Sequence, residues 1–460
     1  MTMGTLTMVA ESVNGQLFGA DSAFDSVSTD TRTLAKGALF FALKGERFDA
    51  AAFIAEAERC GAAGAVVSKR QPGELAQIEV TDTQRALGDL ARTWRDQFDV
   101  PVIGVTGSNG KTTVKEMIAA ILREHFKPAA PLVTQGNFNN EIGMPLTLLK
   151  LGEAHGAAVL EMGAGHRGDI DYLASIAHPT IGVVTNAGAA HLAEFGTEQA
   201  IAETKGELFA YLGAGGVAVI NRDAPYFDLW CQLAAPAEIV SFGLGEKADF
   251  RAEAIRQEAS ADGFELLFSL IHAEQIVEIR LPMAGRHNVL NALAAIAVTR
   301  AVGASWFSIQ SGLALTTNVA GRLRTIAGAK GMRIIDDAYN ANPVSVGAAI
   351  DFLSDLSGES WLVLGDMAEL GSDSALMHRQ IGKQAKSAGI GQLFAFGPQA
   401  GLAVEAFGEG GYAFEDHESL AAAIKASAQT PDTLLVKGSR CMGMERVIAL
   451  LSDSDTEGND

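Results

Sequence analysis

In the run PVIGVTGSNGKTTVKEMIAAIL, Pro101 to Leu122, a lysine and two threonines follow a glycine-bracketed turn, an order of residue types suited to holding phosphate. Gly107, Ser108, Asn109 and Gly110 form a loop whose backbone N–H groups can converge on an anion at a helix N-terminus. Lys111 can reach the outer phosphates of a nucleotide, and the Thr112 hydroxyl, with Thr113 beside it, is placed to bind Mg²⁺. The full pattern has another glycine five residues before Gly110, where this chain has Val105, so only the shorter G-x-x-G-K-T core is present. The alternative is a glycine-rich turn with a surface lysine; strand, loop, Lys-Thr and helix together favour the nucleotide.

Other reactive side chains stand at the ends of apolar runs. Ala157 to Gly163 reads as a strand ending in Glu161, and TIGVVTN leads into Asn186 to His191. In α/β sheets, ligands bind beyond the carboxyl ends of strands, where Gly107, Glu161 and the run from Asn186 to His191 would all fall. Glu161 is therefore a candidate Mg²⁺ ligand opposite Thr112, and His191 a candidate for a second metal. Taken alone, His191 reads as a hydrogen-bonded turn histidine. Asn137, Asn139 and Asn140 make either a binding loop or a turn of residues that tolerate left-handed backbone. Lys205, among Glu203 and Glu207, reads by default as part of a solvated helix face, and His287 as the cap of a helix carrying Asn291. The stretch Ser28 to Arg32 either binds an anion or is a solvated turn built on Asp30.

The elements that must position these residues are those of an α/β protein. A chain of 460 residues, 48% hydrophobic and 20% charged, has material for about three domains. We expect a small N-terminal α/β domain over 1–98, a central P-loop domain with a parallel sheet over 99–320, and a C-terminal Rossmann-like domain over 321–460. Residues from about Ile239 to Leu281 alternate like an antiparallel appendage. The net charge of −20 argues against a nucleic-acid partner, which would need clustered cations. Three scattered cysteines offer neither a disulfide framework nor a metal knuckle, and suit a reducing, cytoplasmic setting. Neither a signal peptide nor a membrane span is expected.

With these residues laid out, the chain resembles the Mur ligases, ATP-dependent amide-forming enzymes of bacterial peptidoglycan synthesis. TGSNGKTT resembles the family's ATP loop, LEMGA its metal-binding glutamate region, NAGAAH its histidine, GRHNVLNALAA its adenine-side loop and GRLR its domain hinge. Within the family, STDTR with ALKGERFDA, GNFNNEIGMP, DDAYNANP and KGSRCMGME are most similar to the member acting on UDP-N-acetylmuramoyl-tripeptide and D-alanyl-D-alanine. The resemblance implies that the tripeptide carboxylate attacks the ATP γ-phosphate and that the dipeptide amine then attacks the acyl phosphate. It further implies ATP and Mg²⁺ as cofactors, a monomer, and a carbamylated Lys205 acting as an additional carboxylate toward metal. Arg322 and Asp337 would touch ATP, with His287 and Asn291 near the adenine. Ser28, Thr31 and Arg32 would face the uridine diphosphate, Asn137, Asn139 and Asn140 the muramoyl-peptide, and Tyr339, Asn340, Asn342, Lys437, Ser439 and Arg440 the dipeptide. We expect the C-terminal domain to stand open until ligands draw it in.

Overall fold

The computed structural model describes residues 2–45, 49–188, 192–260, 263–316, 320–328, 331–427 and 431–452. Near the N-terminus, a five-stranded sheet runs in the spatial order Gln16–Phe18, Gln77–Glu79, Gly64–Val67, Ala38–Phe41, Ser26–Ser28. Its pairs are parallel except the one made by Gln16–Phe18. The helix Thr83–Arg95, capped by the Asp82 carboxylate, leaves this sheet and packs on the central unit. Trp94 Nε1 donates to the Leu151 carbonyl at 2.9 Å and Arg95 Nε to that of Ala177 at 2.9 Å. One buried apolar cluster accordingly runs from Leu39 and Val66 through Leu87 and Leu90 to Leu148 and Leu173.

The central sheet has nine strands in the order Gln275–Leu281, Gly263–His272, Phe250–Ser260, Glu238–Gly243, Val217–Asn221, Ile181–Val184, Val102–Thr106, His155–Glu161, Ala130–Val133. Val102–Thr106 is wholly buried, as befits a strand covered on both faces. The helix Lys111–His125 lays Val114, Met117, Ile118, Ile121 and Leu122 against the sheet, the apolar stripe expected of a 3.6-residue period. The helix His287–Val302 is apolar around its circumference because it is buried in the same core. The expected antiparallel appendage from Ile239 needs correction. Glu238–Gly243 is parallel to Val217–Asn221 and to Phe250–Ser260, antiparallel pairing starts one strand later, and all of these strands extend the one sheet. Alternation reports that one face is half-exposed; it carries no information on which direction the neighbour runs.

A third sheet, of six strands, is ordered Arg324–Ala327, Arg333–Asp337, Thr433–Lys437, Ser360–Gly365, Gln392–Phe396, Gly411–Phe414, antiparallel only at the first pair. In the central sheet, register sets Glu161 beside Val105 and Val184 beside Thr106. Three strand ends therefore converge where chain order reverses on either side of Val102–Thr106, the crevice in which open α/β sheets hold ligands.

Candidate active site

The phosphate loop is shaped by two glycines and clamped by the adjacent strand end. Gly107 has φ 145° and Gly110 φ 80°, and Gly110 precedes the helix without any side-chain cap, leaving the first helical N–H groups for an anion. Thr185 Oγ1 donates to the Asn109 carbonyl at 2.6 Å, while Asn186 bonds both the Asn109 carbonyl and its N–H. Ser108 Oγ is within 3.1 Å of both the carbonyl and the N–H of Gly188. A Cβ on Gly107 would meet Thr185 Oγ1 at 2.0 Å and backbone atoms of Asn186 at 3.1–3.2 Å. Gly107→Ala is therefore expected to destabilise the fold by about 1–3 kcal/mol and to weaken nucleotide binding, readable as a lower denaturant midpoint and a higher ADP dissociation constant; an unchanged midpoint would show that the loop relaxes freely.

Beside the loop, Lys111 Nζ donates to the carbonyls of Gly107 at 2.7 Å and Ser108 at 3.2 Å, curled over its own turn. Burial draws its pKa below the ordinary lysine value, Glu161 opposing and Arg322 adding to the shift. Glu161 is 3% exposed. Its Oε2 accepts from Thr112 Oγ1 at 2.9 Å and its Oε1 from Asn139 Nδ2 at 2.9 Å. Two hard oxygen groups thus face each other across one helix turn and one strand end, a pairing that suits Mg²⁺, which binds one or two protein oxygens and completes its shell with phosphate and water. His191, the other metal candidate, lies outside the described residues. Among the described residues no group of three or more His, Cys, Asp or Glu side chains could hold an ion.

Lys205 does not lie on a solvated face, contrary to its default reading. It sits on the helix Glu198–Gly206, is 3% exposed, and has its pKa pulled down to about 7, first by burial and next by Lys111, against Asp169 and Glu207. Charged neighbours in sequence suggested solvent, but the helix turns this position inward.

The C-terminal sheet closes the cleft. Arg322 Nη2 donates to Thr112 Oγ1 at 3.1 Å, its guanidinium stacks 4.5 Å from the Tyr339 ring centroid, and its buried Nε has no protein partner. Asn342 caps the helix Pro343–Ser354, and its Nδ2 donates to Asn109 Oδ1 at 2.8 Å. Asp337 and Lys437 pair at 2.6 Å, and Lys437 also donates to the Asn340 carbonyl at 3.0 Å. The open arrangement expected from the sequence is thus not the one described: hinge and C-terminal residues already touch the phosphate loop.

Two cavities share this loop. One of about 460 Å³ has Asn109, His287, Asn291, Arg322, Asp337 and Tyr339 among its walls, gathering most of the residues expected around ATP. His287 does not cap its helix; Arg286 holds that position, without a side-chain cap bond. Asn291 packs so closely on Gly110 that a Cβ there would lie 2.5 Å from its Oδ1. The second cavity, of about 640 Å³, is walled by Asn139, Asn140 and Lys205, with Arg85, His166 and Tyr172. Ser108, Lys111 and Asn139 line both.

Not every expected residue is drawn in. Asn137 is exposed beyond the cavities, and Ser439 is buried, its Oγ accepting from Ala368 N at 2.7 Å. Arg440 is largely exposed, paired with Glu445 at 3.4 Å. Ser28 ends the edge strand of the N-terminal sheet, Thr31 and Arg32 follow it, and none of the three walls either cavity; Arg32 grips Asp30 at 2.6 Å, holding that carboxyl at about 2. Thr185 was missed, although it directly precedes Asn186, which the strand-end rule did place beside Glu161; the clamp that both make on Asn109 is seen only in the fold. Arg85 and Tyr172 were missed because they arrive from helices with no motif, and only packing brings them there.

Comparison with known proteins completes this picture. Residues 105–299 match the model of the Mur ligase middle domain, and residues 321–440 that of the Mur ligase glutamate ligase domain. The chain is 41% identical over 455 residues to the UDP-N-acetylmuramoyl-tripeptide--D-alanyl-D-alanine ligase of Escherichia coli strain K12, covering 98% of this chain and 99% of that one. To the ligase of the same name from Haemophilus influenzae it is 37% identical, covering 97% of each. A crystal structure of MurF from Acinetobacter baumannii superposes with a TM-score of 0.90 at 35% identity, covering 98% of both chains. The ADP complex of MurF from Thermotoga maritima superposes with a TM-score of 0.82 at 29% identity, covering 92% of this chain and 96% of that one.

Proposed function

The chain belongs to the Mur ligase family, and from that premise we propose how its own residues perform the family's reaction. It is an ATP-dependent ligase that joins D-alanyl-D-alanine to UDP-N-acetylmuramoyl-tripeptide through an acyl phosphate, a step in making peptidoglycan precursor. The observation that carries the assignment of roles is the meeting of two cavities at Lys111, because a carboxylate from one must reach a phosphate from the other.

Three units divide the work, near 1–98, 99–320 and 321–460. ATP lies in the cavity between His287, Asn291 and Arg322, its phosphates on the helix N-terminus after Gly110. Two anions must approach in the first step. Lys111 and Arg322 supply fixed positive charge there, and fixed charge at a desolvated site stabilises a transition state at little reorganisation cost. Thr112 and Glu161 would hold Mg²⁺, with His191 and a carbamylated Lys205 as further ligands; the ion would neutralise phosphate charge. Asn139 and Asn140, beside Lys205, orient the tripeptide end in the larger cavity, and Ser28, Thr31 and Arg32 reach the uridine diphosphate, which would compete with Asp30 for an exposed guanidinium. Tyr339, Asn340, Asn342 and Lys437 bring the dipeptide amine from the C-terminal side, held within reach of the acyl carbon. Gains from such positioning depend on the C-terminal unit touching the loop, as Asn342 and Arg322 do.

We take a monomer as the catalytic unit. No helix among the described residues is long and apolar enough to cross a membrane; nucleotide-linked substrates place the enzyme in the cytoplasm in this reading. Purified protein given ATP, Mg²⁺ and both substrates should release phosphate, and omission of either should stop it. Release that continues without D-alanyl-D-alanine, or equally with unrelated amines, would refute the reading.

A further inference from the structure

Lys115 has no role in the reaction as described, yet it is placed where a charged side chain is hardest to accommodate. It lies one helical turn beyond Lys111 and is 1% exposed. It is a cation in the N-terminal half of a helix, where the helix dipole opposes it, and a buried ammonium persists only when its donors are matched. Its partners are specific. Nζ donates to the Thr134 carbonyl at 2.7 Å, contacts Glu116 Oε1 at 2.9 Å, and stands 4.0 Å from Glu161 Oε2, the oxygen that also receives the Thr112 hydroxyl. Thr134 then completes a loop of contacts: its Oγ1 accepts the backbone N–H of Glu161 at 3.0 Å.

We propose that Lys115 is a positioning residue, which ties the phosphate-loop helix to the strand end bearing Glu161 and so fixes the separation of the Thr112 hydroxyl and the Glu161 carboxylate. The chain of contact runs from ammonium to Thr134 carbonyl, through Thr134 to the Glu161 N–H, with the ion pair steadying the carboxylate directly. Without it, helix and strand are joined at this point through the very pair of oxygens that must stay free to open toward a cation. A plain structural tie would need only the Thr134 bond. The additional approach to Oε2, in a place where desolvation penalises charge, is what singles out the carboxylate as the object of the arrangement.

This inference rests on the reading of Thr112 and Glu161 as the Mg²⁺ donors, and the test separates the two. Mg²⁺-dependent ADP binding by calorimetry, together with the Mg²⁺ concentration for half-maximal phosphate release, would be measured for Lys115→Met, Lys115→Arg and Glu161→Gln. Supporting groups behind metal ligands are typically worth about 10–100-fold in affinity or activity. Lys115→Met should therefore raise the Mg²⁺ requirement by about 10-fold or more, with the KM values for tripeptide and dipeptide nearly unmoved, and Lys115→Arg should restore most of it. A Mg²⁺ dependence in Lys115→Met that superimposes on the parent while Glu161→Gln shifts it would overturn the role of Lys115. An unshifted Glu161→Gln would instead overturn the underlying ligand assignment. Should Lys115→Met fail to fold, Thr134→Val removes the other link, and it too must raise the Mg²⁺ requirement; an unchanged requirement there counts against the proposal.

Discussion

Lys111→Met is expected to lower the rate of phosphate release on the order of 10³-fold while leaving the fold intact. The side chain is already curled over the Gly107 and Ser108 carbonyls, so the ammonium is delivered by the loop rather than by a flexible stem. On the proposed mechanism a carboxylate and a triphosphate converge in the first step, and the charge that Lys111 would balance is greatest in the transition state. Removing it should therefore depress kcat more than it raises KM for ATP. Stability should move the other way. Burial already pulls the Lys111 pKa down, so its ammonium is held at a cost that an isosteric apolar side chain does not bear. A variant with kcat unchanged and only KM for ATP altered would mean that Lys111 binds ground state and transition state alike.

Lys205→Met is expected to give an enzyme that is more stable at neutral pH and nearly inactive. The Lys205 pKa falls from 10.5 to about 7 on folding, with burial the first cause and Lys111 the next. Between those values the unfolded chain holds the proton and the folded protein does not. The proton count is thus higher in the unfolded state, and this group makes stability rise with pH from about 7 to 10.5. Below about 7 the folded protein carries the full penalty of a buried ammonium, roughly 3–5 kcal/mol by linkage. Urea midpoints for parent and Lys205→Met should differ most at and below pH 7 and converge toward pH 10. Equal midpoints at pH 7 would mean that the amine is solvated. The same depressed pKa leaves a neutral amine available near pH 7, the form that combines with CO₂. Activity should accordingly fall in CO₂-depleted buffer and return with bicarbonate in the parent, while Lys205→Met, lower by about 10²-fold, should respond to neither.

Much of this site can be read from local sequence because its parts are local devices. A strand, two glycines and a Lys-Thr pair specify an anion-binding helix start within ten residues, and the strand-end rule locates Glu161 without knowledge of its neighbours. The same rule reaches Thr185 and Asn186, whose clamp on Asn109 was overlooked because hydroxyl and amide side chains are common in turns for reasons unrelated to ligands. Lys205 shows the limit of local reading. Flanking glutamates predicted a solvated face, and the helix instead buries the lysine beside the cleft. Glutamate neighbours in sequence occupy other faces of a helix, so they say little about where the lysine between them points.

From its sequence alone, this chain was determined to be an α/β nucleotide-dependent enzyme, and by resemblance a Mur ligase, since glycine conformations and strand-to-helix order are set within short segments. Tertiary structure decided what lies between those segments. It decided that three strand ends share one crevice, that Arg322 and Asn342 arrive from beyond residue 320 to meet Thr112 and Asn109, and that Arg85 and Tyr172 wall the second cavity. It also gave Lys115 its ion pair and Lys205 its lowered pKa. The physical reason is that desolvation and Coulomb interaction depend on distance in space, and distance in space between remote segments is fixed only when the core packs.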